Sequence, residues 1–267
     1  MAGLVVPLQQ VNDWRSGLRL NNRGVPLGNL RNAIFALRNA PEWRNVLAYD
    51  AFAARVITQN APPWGDRGGE AWTDEHDSRA CEWLQDQGIP AAPGVVGRAV
   101  QTVARENCVH PVRQYLQALK WDRTPRLDTW LTRYLGVEDS LYAQAVGSRF
   151  LISAVARVEQ PGCKADHMLI LEGPQGILKS SALQALAGPW FTDRVSALGG
   201  KDAAMEIAGV WLVEVAELDA LLKAACSATK SFVTRRHDRF RPPMENMSWT
   251  DQGNACSPAP LTRWAVI

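Results

Sequence analysis

Apolar positions recur at helical spacing through most of the first 160 residues. Side chains three or four positions apart form one face of a helix, so this spacing predicts helices separated by loops rich in proline and glycine. Two short helices are expected between Leu30 and Ile57, the second beginning near Pro41. Further helices are predicted over 73–87, 95–107, 110–119 and 140–158, and from Trp130 to Gly136. This part of the chain is therefore expected to be mostly α-helical, with at most short strands.

The pattern changes after Pro161-Gly162, where two short apolar runs replace the helical spacing. The runs His167–Leu171 and Gly209–Val215 are typical of strands that are buried on both faces of a parallel sheet. A helix-compatible stretch, Ser181–Leu186, follows the first run. Strands that alternate with helices predict an α/β core. Beyond Met244 no periodic pattern continues.

Composition and charge are those of an ordinary globular protein, with 46% hydrophobic and 21% charged residues and a net charge of +2. Such a small net charge gives no overall reason to bind nucleic acid, so any basic surface must be local. The five cysteines are scattered without a CxxC pair, which predicts reduced thiols in a cytosol. The chain has no signal-peptide pattern and no apolar run long enough to span a membrane, so a cytoplasmic location is predicted.

The stretch between the first apolar run and its helix, Gly173-Pro-Gln-Gly-Ile-Leu-Lys-Ser180, has the form of a phosphate-binding loop. In the pattern G-x-x-x-x-G-K-[ST], backbone N–H groups cradle phosphates, the lysine reaches the β- and γ-phosphates, and the hydroxyl binds Mg²⁺. Gly173, Lys179 and Ser180 match this pattern, and Gly176 lies within the loop. Leu178 replaces the second glycine, which leaves present-day ATP binding open. The alternative interpretation is an ordinary strand-to-helix turn with an exposed lysine.

A Mg²⁺–ATP site also needs carboxylates at the end of a neighbouring strand. Glu214, at the end of the second apolar run, is the predicted metal partner of Ser180. Glu217 is the predicted residue for orienting the attacking water, and Lys179 would stabilise the phosphate charge during hydrolysis. Asp219 is the weaker choice for the water. Alternatively, Glu217 and Asp219 are acids favoured at the start of a helix.

Two basic segments contain an aromatic residue. The first comprises Arg235, Arg236, Arg239 and Arg241 with Phe240, and it is predicted to contact phosphate or nucleic acid; a solvated basic turn is the alternative. The second comprises Lys120, Trp121, Arg123 and Arg126, and it is interpreted as a solvated turn. The eleven tryptophans are otherwise interpreted as core residues, and the four histidines show no metal-ligand spacing.

Several segments occur in the order and spacing of one known family: Asn107–Leu116, Trp121-Asp122 with Arg126-Leu127, Ala156-Arg157 with Pro161-Gly162, Leu171–Gly176 with Lys179-Ser180, Trp190–Asp193, Lys201-Asp202, Trp211–Asp219, and Asp238-Arg239 through Pro243. Over roughly residues 75–243 the chain resembles the virulence-associated protein E family, the helicase-like ATPases of phages and integrated elements. The resemblance implies a P-loop NTPase core that binds ATP and Mg²⁺. It also implies the ATPase portion of a primase–helicase that acts on DNA in mobile-element replication, as a homo-oligomeric ring.

The resemblance also divides the chain. The predicted regions are an N-terminal helical region (1–72), a helical domain (73–162), an incomplete P-loop ATPase core (163–243) and an aberrant tail (244–267). Family members continue after Arg-Pro-Pro with an apolar strand that ends in Gly-Thr-x-Asn, and one permitted back-translation of this tail restores that strand in a shifted frame. A frameshift near Pro243 is therefore expected, with a short sheet whose edge is open. If the loop no longer binds ATP, the alternative function is a non-enzymatic DNA-binding or adaptor remnant.

Overall fold

A computed structural model describes residues 13–164, 167–194 and 206–215, and the backbone of 264–266. The chain forms two compact units, one made of Met1–Tyr49 with Arg55–Cys108 and the other of Asp50–Ala54 with Val109–Ile267. Helices and short strands occur in both, so the predicted mixture of helix and strand is confirmed. The domain boundaries predicted at residues 72, 162 and 243 stay predictions, because compactness alone does not test them.

The first unit is built mainly from three helices beside a small sheet. Helix α1 (Leu30–Asn39) packs on α3 (Pro93–Glu106), and α2 (Asp74–Asp86) also contacts α3. Fully buried alanines on the facing helices, among them Ala33, Ala36 and Ala99, let the backbones approach closely. Strands β1 (Leu47–Asp50), β2 (Arg55–Thr58) and β3 (Cys108–Val109) form the sheet in the order β2-β1-β3.

The prediction of a second helix between Leu30 and Ile57 is wrong. In its place a single 3₁₀ turn, Pro41–Trp43, leads into β1 and then β2. Every residue of β1 is buried, which suits a strand covered on both faces better than a helix with one apolar face. The carboxylate of Asp50 accepts hydrogen bonds from the backbone N–H groups of Phe52 (2.9 Å) and Ala53 (3.0 Å), which turns the chain at the end of β1.

The other predicted helices of the first 160 residues are confirmed with small changes in their bounds. In the second unit they are α4 (Pro111–Ala118), α5 (Trp130–Leu135) and α6 (Leu141–Glu159), followed after the glycine loop by α7 (Lys179–Ala187). Strands β4 (Phe191–Thr192), β5 (Leu212–Glu214) and β6 (Trp264–Val266) form a parallel sheet in the order β4-β5-β6. The second predicted strand is therefore present as β5.

Two expectations for this sheet are wrong. The apolar run His167–Leu171 is not an extended strand, since only Leu169 makes a bridge and only Leu169 is buried in that run. A single inward-facing side chain anchors this stretch without requiring a paired strand. The expected open edge of β5 is also occupied, because Glu214 and its neighbours pair in parallel register with β6 from the tail.

One apolar core holds the second unit together and fixes the position of the glycine loop. Leu169 lies before the loop and Leu183 lies after it in α7, and both are buried in this core. Its other buried members come from the helices and from β5, and they include Val112, Trp130, Leu131, Phe150, Ala154, Val158 and Leu212. The indole N–H of Trp211 also donates to the carbonyl of Ala154 at 3.1 Å, which ties β5 to α6. Both ends of the loop are therefore attached to the same packed body.

Within the described residues, Cys81, Cys108 and Cys163 are free thiols. No helix in the described ranges is long and apolar enough to cross a membrane.

Candidate functional site

The glycine loop runs from Gly173 to Leu178 and is exposed along its whole length. Gly176 has φ +87°, a backbone conformation that a residue with a Cβ rarely adopts. A Cβ on Gly173 would lie 2.8 Å from Cδ1 of Ile177, which is closer than real contacts allow. Gly176 is therefore required by the backbone of the loop, whereas a side chain at Gly173 would only require the exposed side chain of Ile177 to move.

The side chain of Lys179 bends back over this loop. Its Nζ donates hydrogen bonds to the carbonyl oxygens of Gly173 (2.8 Å) and Pro174 (3.1 Å). Among the described residues, the partners of this ammonium group at the mouth of the loop are therefore neutral carbonyls, and none is a carboxylate. Because carbonyl oxygens do not neutralise it, the positive charge stays available to an anion placed on the loop.

Ser180 and Glu214 meet across the start of α7 and the end of β5. The Ser180 hydroxyl donates to Oε1 of Glu214 at 2.6 Å. Glu214 is only 9% exposed, and its Oε2 has no hydrogen-bond partner in the described part of the chain. A buried carboxylate oxygen without a partner is costly, so this pair of oxygens is suited to a cation.

The Ser180 hydroxyl and the Glu214 carboxylate suit a Mg²⁺ ion that is bound together with a ligand. They do not suit a metal ion that is held by protein side chains alone. Among the described residues, no group of three or more histidine, cysteine or acidic side chains could hold a metal ion. Mg²⁺ is commonly bound through one or two carboxylates together with substrate phosphates and waters. A single hydroxyl and a single carboxylate beside a loop of this shape are compatible with that mode of binding.

Leu178, the residue in place of the second glycine, forms the start of α7 with φ 63° and ψ 29°. This is the left-handed conformation, which costs a residue with a side chain roughly 1–2 kcal/mol. The side chain is 70% exposed and provides no hydrogen bond to the first turn of the helix. The backbone has therefore kept the shape that glycine would give it, although the glycine itself is absent.

The structure places Lys179 against Gly173 and Ser180 against Glu214, and Gly176 lies in the same loop, while the binding roles of these five residues stay predictions. The remaining predicted site residues lie outside the described residues: Glu217, Asp219, Arg235, Arg236, Arg239, Phe240 and Arg241. Their roles stay predictions.

The interpretation of the segment around Trp121 as a solvated turn is confirmed, since Trp121 is 74% exposed. It lies in the loop between α4 and α5, where Asp122 forms an ion pair with Arg126. The sequence contains a signal for this exposure, since Trp121 stands between charged residues and outside any helical apolar stripe.

A family model, the virulence-associated protein E-like domain, matches residues 116–252. The match covers 137 of the 267 residues, so the chain belongs to this family. The resemblance inferred from the ordered motifs is thereby confirmed, and it relates the chain to proteins of phages and mobile elements. No curated protein matches the chain.

The bounds of the match differ from those of the predicted resemblance at both ends. It begins within α4, so the segment from residue 75 to residue 115 lies outside it. It also continues past Pro243, the position of the predicted frameshift. That frameshift stays a prediction.

Proposed function

We propose that this chain is the ATPase portion of a helicase-type protein that binds Mg²⁺–ATP at the glycine loop and acts on DNA. The observation that carries the proposal is the hydrogen bond from Ser180 to Glu214, with the second carboxylate oxygen buried and without a partner in the described residues. An ordinary strand-to-helix turn gives no reason to place a buried carboxylate against the first hydroxyl of the helix.

Each residue of the site has a separate role in this proposal. The glycine loop and the first backbone N–H groups of α7 would hold the phosphates, since these N–H groups have no partner within a helix. Lys179 would contribute positive charge, and Ser180 with Glu214 would hold Mg²⁺, which supplies charge neutralisation on the phosphates. Glu217 is the proposed residue for orienting the attacking water, on the basis of sequence alone.

The test is Mg²⁺-dependent ATP binding and phosphate release by the full chain, with and without DNA. Lys179→Ala and Glu214→Gln are expected to lower turnover by 10²-fold or more, since each removes charge from the phosphate site. Glu217→Gln is expected to preserve binding and abolish turnover. Unchanged turnover in Glu214→Gln contradicts the assignment of this carboxylate to the metal.

Ser180 has a matched control on the same helix. Ser181 follows it in the first turn and is exposed. Ser180→Ala is expected to weaken Mg²⁺-dependent binding, whereas Ser181→Ala is expected to behave as the wild-type chain. Equal losses in both variants would show that the effect comes from the helix rather than from the Ser180 hydroxyl.

The second candidate function is a non-enzymatic DNA-binding or adaptor module, and Leu178 is the observation that favours it. A leucine side chain at the closest approach of loop and phosphate opposes binding, although the backbone already has the shape that glycine would give it. In this case DNA affinity would depend on salt but not on ATP or on Lys179→Ala. ATP-dependent turnover that Lys179→Ala abolishes would exclude this candidate.

A further inference from the structure

The loop between α4 and α5, here the Trp121 loop (Leu119–Thr129), presents an exposed aromatic ring on a rigid support. The indole of Trp121 is 74% exposed, while its N–H donates to the carbonyl of Thr124 at 3.3 Å. The edge of the ring is thus held by the loop. Much of its surface remains open to solvent.

An ion pair within the loop fixes its shape. Both carboxylate oxygens of Asp122 accept from the guanidinium of Arg126, at 2.8 Å and 2.7 Å, and Oδ1 also accepts from the backbone N–H of Thr124 at 3.0 Å. These hydrogen bonds hold the pKa of Asp122 far below its usual range. These contacts favour one shape of the loop, and its only carboxylate before Asp128 is already paired with a cation.

Two cations, Lys120 and Arg123, lie on either side of Trp121 in the sequence. Lys120 and Arg123 are exposed, and neither forms an ion pair with another described residue. Arg123 has φ 66°, so a residue with a long charged side chain occupies a backbone conformation that normally favours glycine. Such strain in an ordered loop is typical of sites selected for function rather than for stability.

We propose that the Trp121 loop is a contact site for single-stranded DNA, with one base stacked on Trp121 and neighbouring phosphates paired with Lys120 and Arg123. An exposed aromatic residue that lies between two exposed cations in the sequence has the two elements that hold single strands: a stacking surface and positive charge for the backbone. A duplex is excluded from this mode because its bases are already stacked on one another. This inference rests on the proposed function, which supplies DNA as the partner.

The position of the loop in the fold connects it to the glycine loop. At its start, Tyr115 of α4 packs against Trp190, which follows α7, with ring centroids 5.4 Å apart. At its end, Trp130 and Leu131 of α5 share the buried core with Leu183 of α7. One end of the Trp121 loop is therefore anchored on the segment that follows α7, and the other end is anchored on α7, the helix that begins at the glycine loop.

The test is nucleotide-free binding of the full chain to a fluorescein-labelled oligo-dT strand, measured by anisotropy over a series of salt concentrations. Trp121→Ala is expected to weaken binding about 5- to 100-fold, the loss of one stacked base. Trp121→Phe, which keeps an aromatic ring, is expected to recover most of that affinity. The matched control is Tyr142→Ala, because Tyr142 is also a highly exposed aromatic residue, on α6.

Loss of Lys120 and Arg123 should change the salt dependence of DNA affinity, whereas loss of the Trp121 ring should not. The double variant Lys120→Ala/Arg123→Ala is expected to reduce the slope of log affinity against log salt by about 1.4, the equivalent of two phosphate contacts to a single strand. Trp121→Ala is expected to leave that slope unchanged. A duplex of the same length should bind Trp121→Ala and the wild-type chain equally.

Three results would overturn the proposal. Equal affinities of Trp121→Ala, Tyr142→Ala and the wild-type chain for oligo-dT would exclude the Trp121 site alone. No DNA binding by the wild-type chain would instead exclude the DNA part of the proposed function, and the site with it. Smaller assemblies of Trp121→Ala in sedimentation, with unchanged DNA affinity, would assign the ring to a protein–protein contact.

Discussion

The second unit contains two helix starts with opposite construction. At the start of α4, the side chain of His110 accepts a hydrogen bond from the backbone N–H of Arg113 at 3.2 Å, and Pro111 occupies the first helical position. At the start of α7, Leu178 provides no side-chain hydrogen bond and has a left-handed backbone. His110 is 8% exposed and Leu178 is 70% exposed. One start is closed by its own chain, whereas the other is left open to solvent.

The difference between the two helix starts shows that a start built for stability and a start left available to a ligand need opposite features. A capped start satisfies its backbone N–H groups within the protein and contributes roughly 1 kcal/mol to folding. An uncapped start keeps its N–H groups and its partial positive charge for an anion, at a cost in stability. The start of α7 carries both that cost and the strain at Leu178, which is the pattern expected where local rules are broken at a functional position.

The largest effect is expected at the closed start, as a dependence of stability on pH. Burial, with a smaller contribution from the charge of Arg113, lowers the pKa of His110 from 6.5 to about 4. The unfolded chain therefore binds a proton between these values that the folded chain does not. Stability is fully present above pH 6.5 and is lost as the pH falls towards 4, by up to about 3 kcal/mol. Urea unfolding followed by circular dichroism across this range measures the slope.

His110→Asn provides the control for this slope. Asparagine can accept the same hydrogen bond from the N–H of Arg113 but does not titrate in this range. The variant loses packing against Phe52, whose ring centroid is 5.2 Å from that of His110, so a modest loss at neutral pH is expected. A pH slope as steep in His110→Asn as in the wild-type chain would show that other groups produce it.

At the open start, Leu178→Gly is expected to stabilise the fold and to strengthen ATP binding at the proposed nucleotide site. Glycine adopts φ 63° without steric cost, so the free energy of unfolding should rise by about 1 kcal/mol. Mg²⁺–ATP affinity should rise about tenfold if the leucine side chain opposes binding. Titration with a fluorescent ATP analogue and thermal unfolding measure the two effects separately.

Leu178→Ala separates backbone strain from side-chain bulk. Alanine keeps the Cβ, and therefore the strain, but removes the isobutyl group. An increase in affinity in both variants would assign the obstruction to bulk, and an increase in Leu178→Gly alone would assign it to the backbone. Unchanged affinity in Leu178→Gly would show that this loop position does not limit ATP binding.

The sequence predicted that α4 begins near His110, and it predicted which residues lie at the start of α7. It did not predict the geometry of either helix start. Periodicity placed α4 and α6 correctly because each presents a consistent apolar face to one core. It failed over 41–57, where residues of a short buried strand can be read at helical spacing equally well. It also failed at 167–171, where strand formation depends on neighbours that a local pattern does not include.

The site residues followed a different logic. Gly173, Lys179 and Ser180 were recognisable because they match the spacing of the phosphate-loop pattern, and Glu214 because it ends an apolar run. The contact from Ser180 to Glu214 spans 34 positions and arises only when β5 and α7 pack in one core. The exposure of Trp121, in contrast, was predictable, because it lies among charged residues outside any helical apolar stripe.

At the end of α5, a glycine occupies nearly the same backbone angle as Leu178, so the reverse substitution, from glycine to a residue with a side chain, can be tested there. Gly136 has φ 69°, and its N–H donates to the carbonyl of Thr132 at 3.2 Å. Gly136→Ala is therefore expected to destabilise the chain by about 1 kcal/mol, against the gain expected for Leu178→Gly. Thermal unfolding of the two variants and of their combination checks the pair. A stabilising Gly136→Ala would remove backbone strain as the explanation at both positions.

The smallest effect is expected at a third helix start, which is capped in the ordinary way. The hydroxyl oxygen of Ser140 accepts from the N–H of Ala143 at 3.1 Å at the start of α6. Ser140→Ala is expected to cost about 0.5–1 kcal/mol in urea unfolding without changing ATP binding, while Ser140→Asp retains the cap and costs little. No matching variant can be made at the start of α7, because Leu178 provides no side-chain cap that could be removed. If Ser140→Ala lowers ATP affinity as much as Ser180→Ala, helix stability rather than an open helix start controls the nucleotide site.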